Sequence, residues 1–287
     1  IGKWKIPDSL KDPEGYLTDR TKAQECIART QGKEGSITAS EQKLKHQAPP
    51  IPYDLNDLQK ESGRRWGYSP KQTLEAAQAL YEHHQLTTYP RTSCGYLPSS
   101  QQDDVPAILQ NISKAFPAFA PFAAKADPRR KSAVWNDKKV SEEAHTGLIP
   151  TLKAASQEDA AKLPEACRRI YELICRRYVQ AFMPDCAYYE TTIETRIGSD
   201  LFMTKGRRVV DPGFKAFADA GSSKDGSAGE GEAEVPFIEK GTAALAGKCE
   251  LKSGTTKPPA PFTQETIIDA KQNVWKYVDG KREKELL

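Results

Sequence analysis

A phenol and a guanidinium two residues apart, Tyr89 and Arg91, are the pair in this chain best suited to chemistry on a phosphate. The intervening Pro90 favours extended backbone at Tyr89. In an extended segment residues i and i+2 project to one side, so Arg91 is expected to stand beside whatever Tyr89 attacks. A free phenol ionises near pH ~10 and is a poor nucleophile at neutral pH, so it needs nearby positive charge or an organised phosphate. Spacing alone also admits an ordinary turn aromatic beside a surface cation. His145, in Glu143-Ala144-His145-Thr146-Gly147, reads by itself as a satisfied structural histidine; a site role for it comes only with the motif resemblance given below. His83 and His84 invite a metal reading, but adjacent helical residues diverge by about 100° and cannot readily share one ion. They are read as solvent-facing and packing residues respectively, and no metal ligand is assigned.

The elements that must hold these groups follow from the pattern on either side. Ser69 as N-cap and Pro70 in the first turn start a helix that continues through Leu74, Ala77, Leu80 and His84 and ends near Gln85, delivering the chain to Leu86-Thr87-Thr88-Tyr89. Before it, Asp54 to Leu58 starts a short helix that gives way to a basic, aromatic turn, Arg64-Arg65-Trp66-Gly67-Tyr68. From Glu165 to Phe182, Cys167, Ile170, Tyr171, Ile174 and Tyr178 fall on one arc, while Arg168, Arg169, Arg176 and Arg177 fall opposite. That basic face is ordinarily a solvated surface; only in a protein that holds a single strand does it become a candidate phosphate track, and Arg64, Arg65 and Trp66 have the same standing, with Trp66 as a stacking surface.

Strands lie outside this helical middle. Residues 36–40 read as one, and Tyr189, Thr191, Ile193, Thr195 and Ile197 alternate with polar residues as a half-buried strand. Leu201 to Thr204 and Ala244 to Leu251 are further candidates, separated by a Gly/Ser/Glu-rich loop from Asp219 to Glu234. The proline-rich segment 48–53 resists helix and central strand alike and suits a domain crossing. The expected class is therefore α+β, a helical domain inserted into a β-rich one, with a final helix from Thr263.

Composition sets wide limits. With 287 residues, 38% apolar and 28% charged, the chain can bury one large or two ordinary cores. No apolar run nears the ~18 residues that span a bilayer, and the first residues lack a signal peptide's apolar core, so a cytoplasmic setting without membrane contact is expected. A net charge of +3 neither demands nor excludes nucleic acid. The six cysteines form no CxxC pair and read as reduced, mostly buried thiols. The absence of an initiating methionine and an end within a helical pattern, Lys281 to Leu287, read as cut points.

Four ordered segments resemble the type IA DNA topoisomerase family, of the topoisomerase III kind. Thr87-Thr88-Tyr89-Pro90-Arg91-Thr92 followed by Leu97-Pro98 is similar to the family's "TYPRT…LP", and residues 143–151 to its "AHxxIxPT". Residues 74–82 are similar to its "AQxLYE" helix, and residues 256–263 to "TKPPxxYT". Ser93 stands where the family usually has aspartate, and Gly95 where arginine or another polar residue is common; the second departure would remove a phosphate contact.

The resemblance implies a β-rich arch (domain II, 1–49 and 185–258), an inserted helical domain carrying the tyrosine (domain III, 50–184) and the start of a further helical domain (domain IV, 259–287). It implies ATP-independent cleavage and resealing of one DNA strand through a 5′-phosphotyrosyl bond, for relaxation or decatenation. Tyr89 would be the nucleophile, with Arg91 and His145 at the phosphate. Magnesium would come from a Toprim domain outside this sequence, with no cofactor held here. DNA, preferentially single-stranded, would be the partner of a monomer. A DNA-binding module without chemistry, or a tyrosine relaxase or recombinase, stand as alternatives; a relaxase would want a histidine triad that four scattered histidines do not obviously supply.

Overall fold

The computed structural model describes residues 1–130, 132–217, 234–258 and 260–278. The expected loop from Asp219, except its last residue Glu234, and the expected helical stretch Lys281 to Leu287 lie outside the described residues. The chain divides into two compact units: Ile1–Gln47, Cys186–Pro212 and Ser222–Pro258 in one, Ala48–Asp185, Gly213–Gly221 and Pro259–Leu287 in the other.

The first unit is built on an antiparallel sheet of β1 (Lys3–Trp4), β2 (Glu34–Gln47), β3 (Cys186–Ile197), β4 (Asp200–Asp211) and β5 (Ala243–Leu245), in the order β1-β4-β3-β2-β5. Thr191, Ile193 and Ile197 of β3 are buried, as the alternation predicts. Ile37, Ile193 and Val235 form a small core with Ile238 and Ala244 against it. A helix that the sequence reading missed, α1 (Arg20–Thr30), begins at the N-cap Asp19. Its Arg29 reaches the buried Asp200 through two hydrogen bonds of 3.1 Å, a bidentate pair that satisfies a carboxylate taken from water. The strand expected at 244–251 shrinks to β5, and the one expected at 36–40 extends to Gln47.

The second unit contains α2 (Leu55–Trp66), α3 (Pro70–Glu82), α4 (Val105–Ala115), α5 (Ala120–Ala123), α6 (Asp137–Glu143), α7 (Gln157–Lys162), α8 (Glu165–Ala181) and α9 (Gln264–Gln272). All five apolar-arc residues of α8 are buried, and α8 packs on α3. Pro106, Pro117 and Pro121 start helical turns instead of breaking them, because the first turn needs no amide donor from them.

Three placements differ from the sequence reading. Arg64, Arg65 and Trp66 form the last turn of α2, which ends at Gly67 in the left-handed region (φ 70°), and are not a turn of their own. Residues 213–217, expected in the β-rich part, belong to the helical unit: the Phe217 ring stacks 4.2 Å from Phe122 and lies 4.7 Å from Phe119, and its carbonyl accepts from Arg176 and Gln180 at 3.3 Å. The helix from Thr263, expected to open a separate domain, packs on α2, with Lys60 Nζ 2.9 Å from Asp269. Among the described residues no helix is long and apolar enough to cross a membrane. The fold is α+β, an antiparallel sheet and a helical unit whose largest segment lies between β2 and β3.

Candidate active site

The Tyr89 segment is delivered by a well-fixed helix. Ser69 caps α3 reciprocally with Gln72 (3.2 and 2.9 Å), Pro70 sits in its first turn, and Ala77 and Leu80 are fully buried. The helix ends at Glu82, earlier than predicted, and the chain reverses through Gln85, whose φ is +56°. That turn is held from outside: Thr151 Oγ1 donates to the Gln85 carbonyl at 2.7 Å and Lys153 Nζ to the His84 carbonyl at 2.9 Å.

Beyond the turn, residues 86–88 run antiparallel to 149–151. Thr88 N donates to the Ile149 carbonyl and Thr151 N to the Leu86 carbonyl, each at 3.0 Å, with Thr87 opposite Pro150. The Thr88 hydroxyl closes the seam by donating to the Gly147 carbonyl and accepting from Ile149 N, both at 3.0 Å. Residues immediately before Tyr89 are thus laced to residues immediately after His145. α6 ends at Ala144 in the left-handed region (φ 57°), which turns the chain into His145.

These seams bring the two predicted side chains together. The rings of Tyr89 and His145 lie 5.1 Å apart at 42°, and both residues are exposed. Tyr81, in the last turn of α3, meets Tyr89 edge-on at 5.6 Å, a contact that its place in the 74–82 helix does not signal. Arg91 is exposed and has no ion-pair partner among the described residues, so its charge is available to an incoming anion. Cys94, close by, is no rival nucleophile: it is buried, and burial pushes its thiol up, which keeps it protonated.

The two motif departures have visible settings. The Ser93 hydroxyl donates to the Glu143 carboxylate, so the acid at this point is supplied by the histidine segment. Gly95 is buried where three chain segments meet; a Cβ there would lie 2.9 Å from the Pro52 carbonyl oxygen and 2.8 Å from Ile51 Cδ1. A side chain at 95 therefore meets the Pro52 backbone with its first atom, which gives glycine here a packing reason.

The predicted DNA-contacting residues do not form one track. Arg168 is exposed and has no ion-pair partner among the described residues. Arg169 pairs with Glu165 at 2.5 Å, reaches the Tyr68 hydroxyl and lies 5.4 Å from the Trp66 ring, with Trp66 itself half-buried against Tyr68. Arg177 stands 3.9 Å over the ring of buried Tyr53. Arg176 is a packing residue: its guanidinium lies 4.7 Å from both Phe119 and Phe217, pairs with Glu172 at 3.1 Å, and its side chain is 12% exposed. Arg64 and Arg65 both bond the Glu61 carboxylate, which offsets much of their charge. Helical periodicity could not show this, because Phe119 and Phe217 lie far from α8 in sequence.

Among the described residues no group of three or more His, Cys, Asp or Glu side chains could hold a metal ion. No step below runs through a metal.

A family model described as DNA topoisomerase matches residues 4–274. The chain belongs to the DNA topoisomerase family. Relatives named DNA topoisomerase 3 include those of Pasteurella multocida, 31% identical over 99% of this chain and 42% of its own length, and Salmonella typhimurium, 32% identical over 98% and 42%. The Bacillus subtilis relative is 31% identical over 89% of this chain and 34% of its own length. The fold is similar to that of full-length topoisomerase I from Thermotoga maritima, with a TM-score of 0.64 at 20% identity, covering 95% of this chain and 42% of that one. This topoisomerase-family chain thus spans about two fifths of the first two relatives' length. The membership agrees with the type IA, topoisomerase III-like resemblance of its motifs and does not favour a relaxase, a recombinase or a module without chemistry.

Proposed function

We propose that this chain supplies the nucleophile of a type IA topoisomerase reaction, with Tyr89 attacking a phosphodiester of single-stranded DNA. The observation that carries the reading is the exposed Tyr89 phenol against His145, on two segments laced together at Thr88. The Tyr89 oxygen bonds to phosphorus, the deoxyribose 3′ oxygen leaves and takes up a proton, and the phenol gives one up; the phosphate stays on the 5′ end. One phosphodiester replaces another of similar energy, so resealing is the reverse step and needs no ATP. Between the two steps another strand passes through the break, which yields relaxation or decatenation.

Arg91 neutralises the non-bridging oxygens as charge builds on them, where preorganised charge contributes most. His145 holds a phosphate oxygen or the nucleophile's ring. Arg168 and the Trp66/Arg169 pair contact the strand away from the scissile bond. A nucleoid- or plasmid-associated cytoplasmic setting follows from that substrate.

The test is adduct trapping in the full polypeptide that carries this chain. Denaturant quenching of cleavage should leave a 5′-phosphotyrosyl peptide containing Tyr89, and Tyr89→Phe should lose it while binding single-stranded DNA as before. An adduct on another tyrosine, or one through a 3′ phosphate, sinks the assignment.

A further inference from the structure

We propose that Tyr81 is a positioning residue for the nucleophile, its ring fixing the direction in which Tyr89 presents its phenol oxygen. The inference rests on the reading of Tyr89 as nucleophile. Backbone seams hold the chain as far as Thr88, yet the Tyr89 side chain is 38% exposed and its hydroxyl has no hydrogen-bond partner among the described residues. Two dihedral angles therefore decide where the oxygen points, and the aromatic neighbours of the ring among the described residues are His145 at 5.1 Å and Tyr81 at 5.6 Å.

The two neighbours differ in firmness. His145 is an exposed residue of an irregular segment. Tyr81 belongs to α3, which is capped at Ser69 and anchored by the fully buried Ala77 and Leu80. Its ring meets Tyr89 at 76°, the edge-to-face arrangement in which the positive rim of one ring faces the negative face of another, a contact that specifies orientation as aliphatic packing does not. Tyr81 is itself 41% exposed, so trimming it opens no interior cavity and the fold should survive.

Two arms test the proposal. In this chain carrying 3-fluorotyrosine, the Tyr89 fluorine resonance is assigned by its loss in Tyr89→Phe. Tyr81→Leu should move that resonance and Tyr81→Phe leave it near its place; an unmoved signal in Tyr81→Leu overturns the contact whatever the chain does to DNA. In the full polypeptide, single-turnover cleavage of a single-stranded oligonucleotide should slow about threefold to tenfold in Tyr81→Leu, the size of one edge-to-face pair. Affinity for the oligonucleotide, measured in the Tyr89→Phe background, should change less than twofold, and Tyr81→Phe should restore the rate. An unchanged rate overturns the proposal, as does an affinity loss equal to the rate loss, which would make Tyr81 a base-stacking surface. Cleavage persisting in Tyr89→Phe would refute the nucleophile and this role with it, while the fluorine arm reads the ring contact separately.

Discussion

Gly95→Ala adds one methyl group at the point where the tyrosine segment crosses the proline-rich stretch. The new Cβ would stand 2.8 Å from Ile51 Cδ1, 3.3 Å from Ile51 Cγ1 and 2.9 Å from the Pro52 carbonyl oxygen. The isoleucine can turn aside, but the carbonyl belongs to backbone stiffened by Pro50 and Pro52, so the segments must separate by several tenths of an ångström. Overpacking of this kind costs about 1–3 kcal/mol. Taking ~2 kcal/mol, and roughly 2–4 °C per kcal/mol for a chain of this size, the midpoint should fall by ~4–8 °C. Gly147→Ala, whose Cβ would meet Pro52 Cβ at 3.0 Å and the Gly95 carbonyl carbon at 3.1 Å, should cost less, and Gly95→Arg more, since it also buries a charge. Thermal melting followed by circular dichroism reads all three. A Gly95→Ala midpoint within ~1 °C of the parent, or a Gly95→Arg variant that melts normally and binds DNA more tightly, would refute the argument and return position 95 to the phosphate.

Thr88→Val removes the hydroxyl that bridges the two segments and leaves Ile149 N without its partner; stability should fall by about 1–3 kcal/mol, read as a lower urea midpoint at unchanged slope, and cleavage in the full polypeptide should fall with it. Arg176→Ala should destabilise the fold by ~1–3 kcal/mol with little effect on oligonucleotide affinity, whereas Arg168→Ala should lower affinity and its salt slope without moving the melting midpoint. Under native conditions near pH 8, an alkylating reagent should reach the half-buried Cys249 before the five buried thiols, as mass spectrometry of the digest would show. Burial pushes the Cys26 thiol up to about 11 from 9.0. Its raised folded-state value contributes stability that is complete below pH ~9 and lost as pH rises through ~11, so alkaline melts should show a decline across that window that Cys26→Ser reduces.

What could be read beforehand was whatever repeats within a few residues. The Ser69/Pro70 start of α3 and the buried arc of α8 are local patterns, and both stand where the spacing puts them. α1 escaped notice because its buried positions are Ala23, Cys26 and Thr30, too small and mixed in character to make an apolar stripe. β2 beyond Ser40 escaped because Lys43, Leu44, Lys45 and His46 are all exposed, so neither face carries a core signal. At the site, motif resemblance placed Tyr89 near His145. The Thr88 seam, the Ser93–Glu143 bond and the stacking of Arg176 join residues 50 or more positions apart or depend on which ring lies where, and no local period encodes them.

The pairing of Gln47 with Cys186 bears on how the molecule assembles. Every ladder bond between β2 and β3 closes a loop that contains residues 48–185. In a disordered chain that closure must be met before any strand contact rewards it, although its entropy rises only by about 0.6 kcal/mol for each doubling of length. Once the helices between have condensed, the two ends are held as neighbours and most of that penalty is gone. The sheet should therefore zip last, in a slow phase whose rate tracks substitutions in the buried arc of α8 more closely than substitutions in the strands themselves.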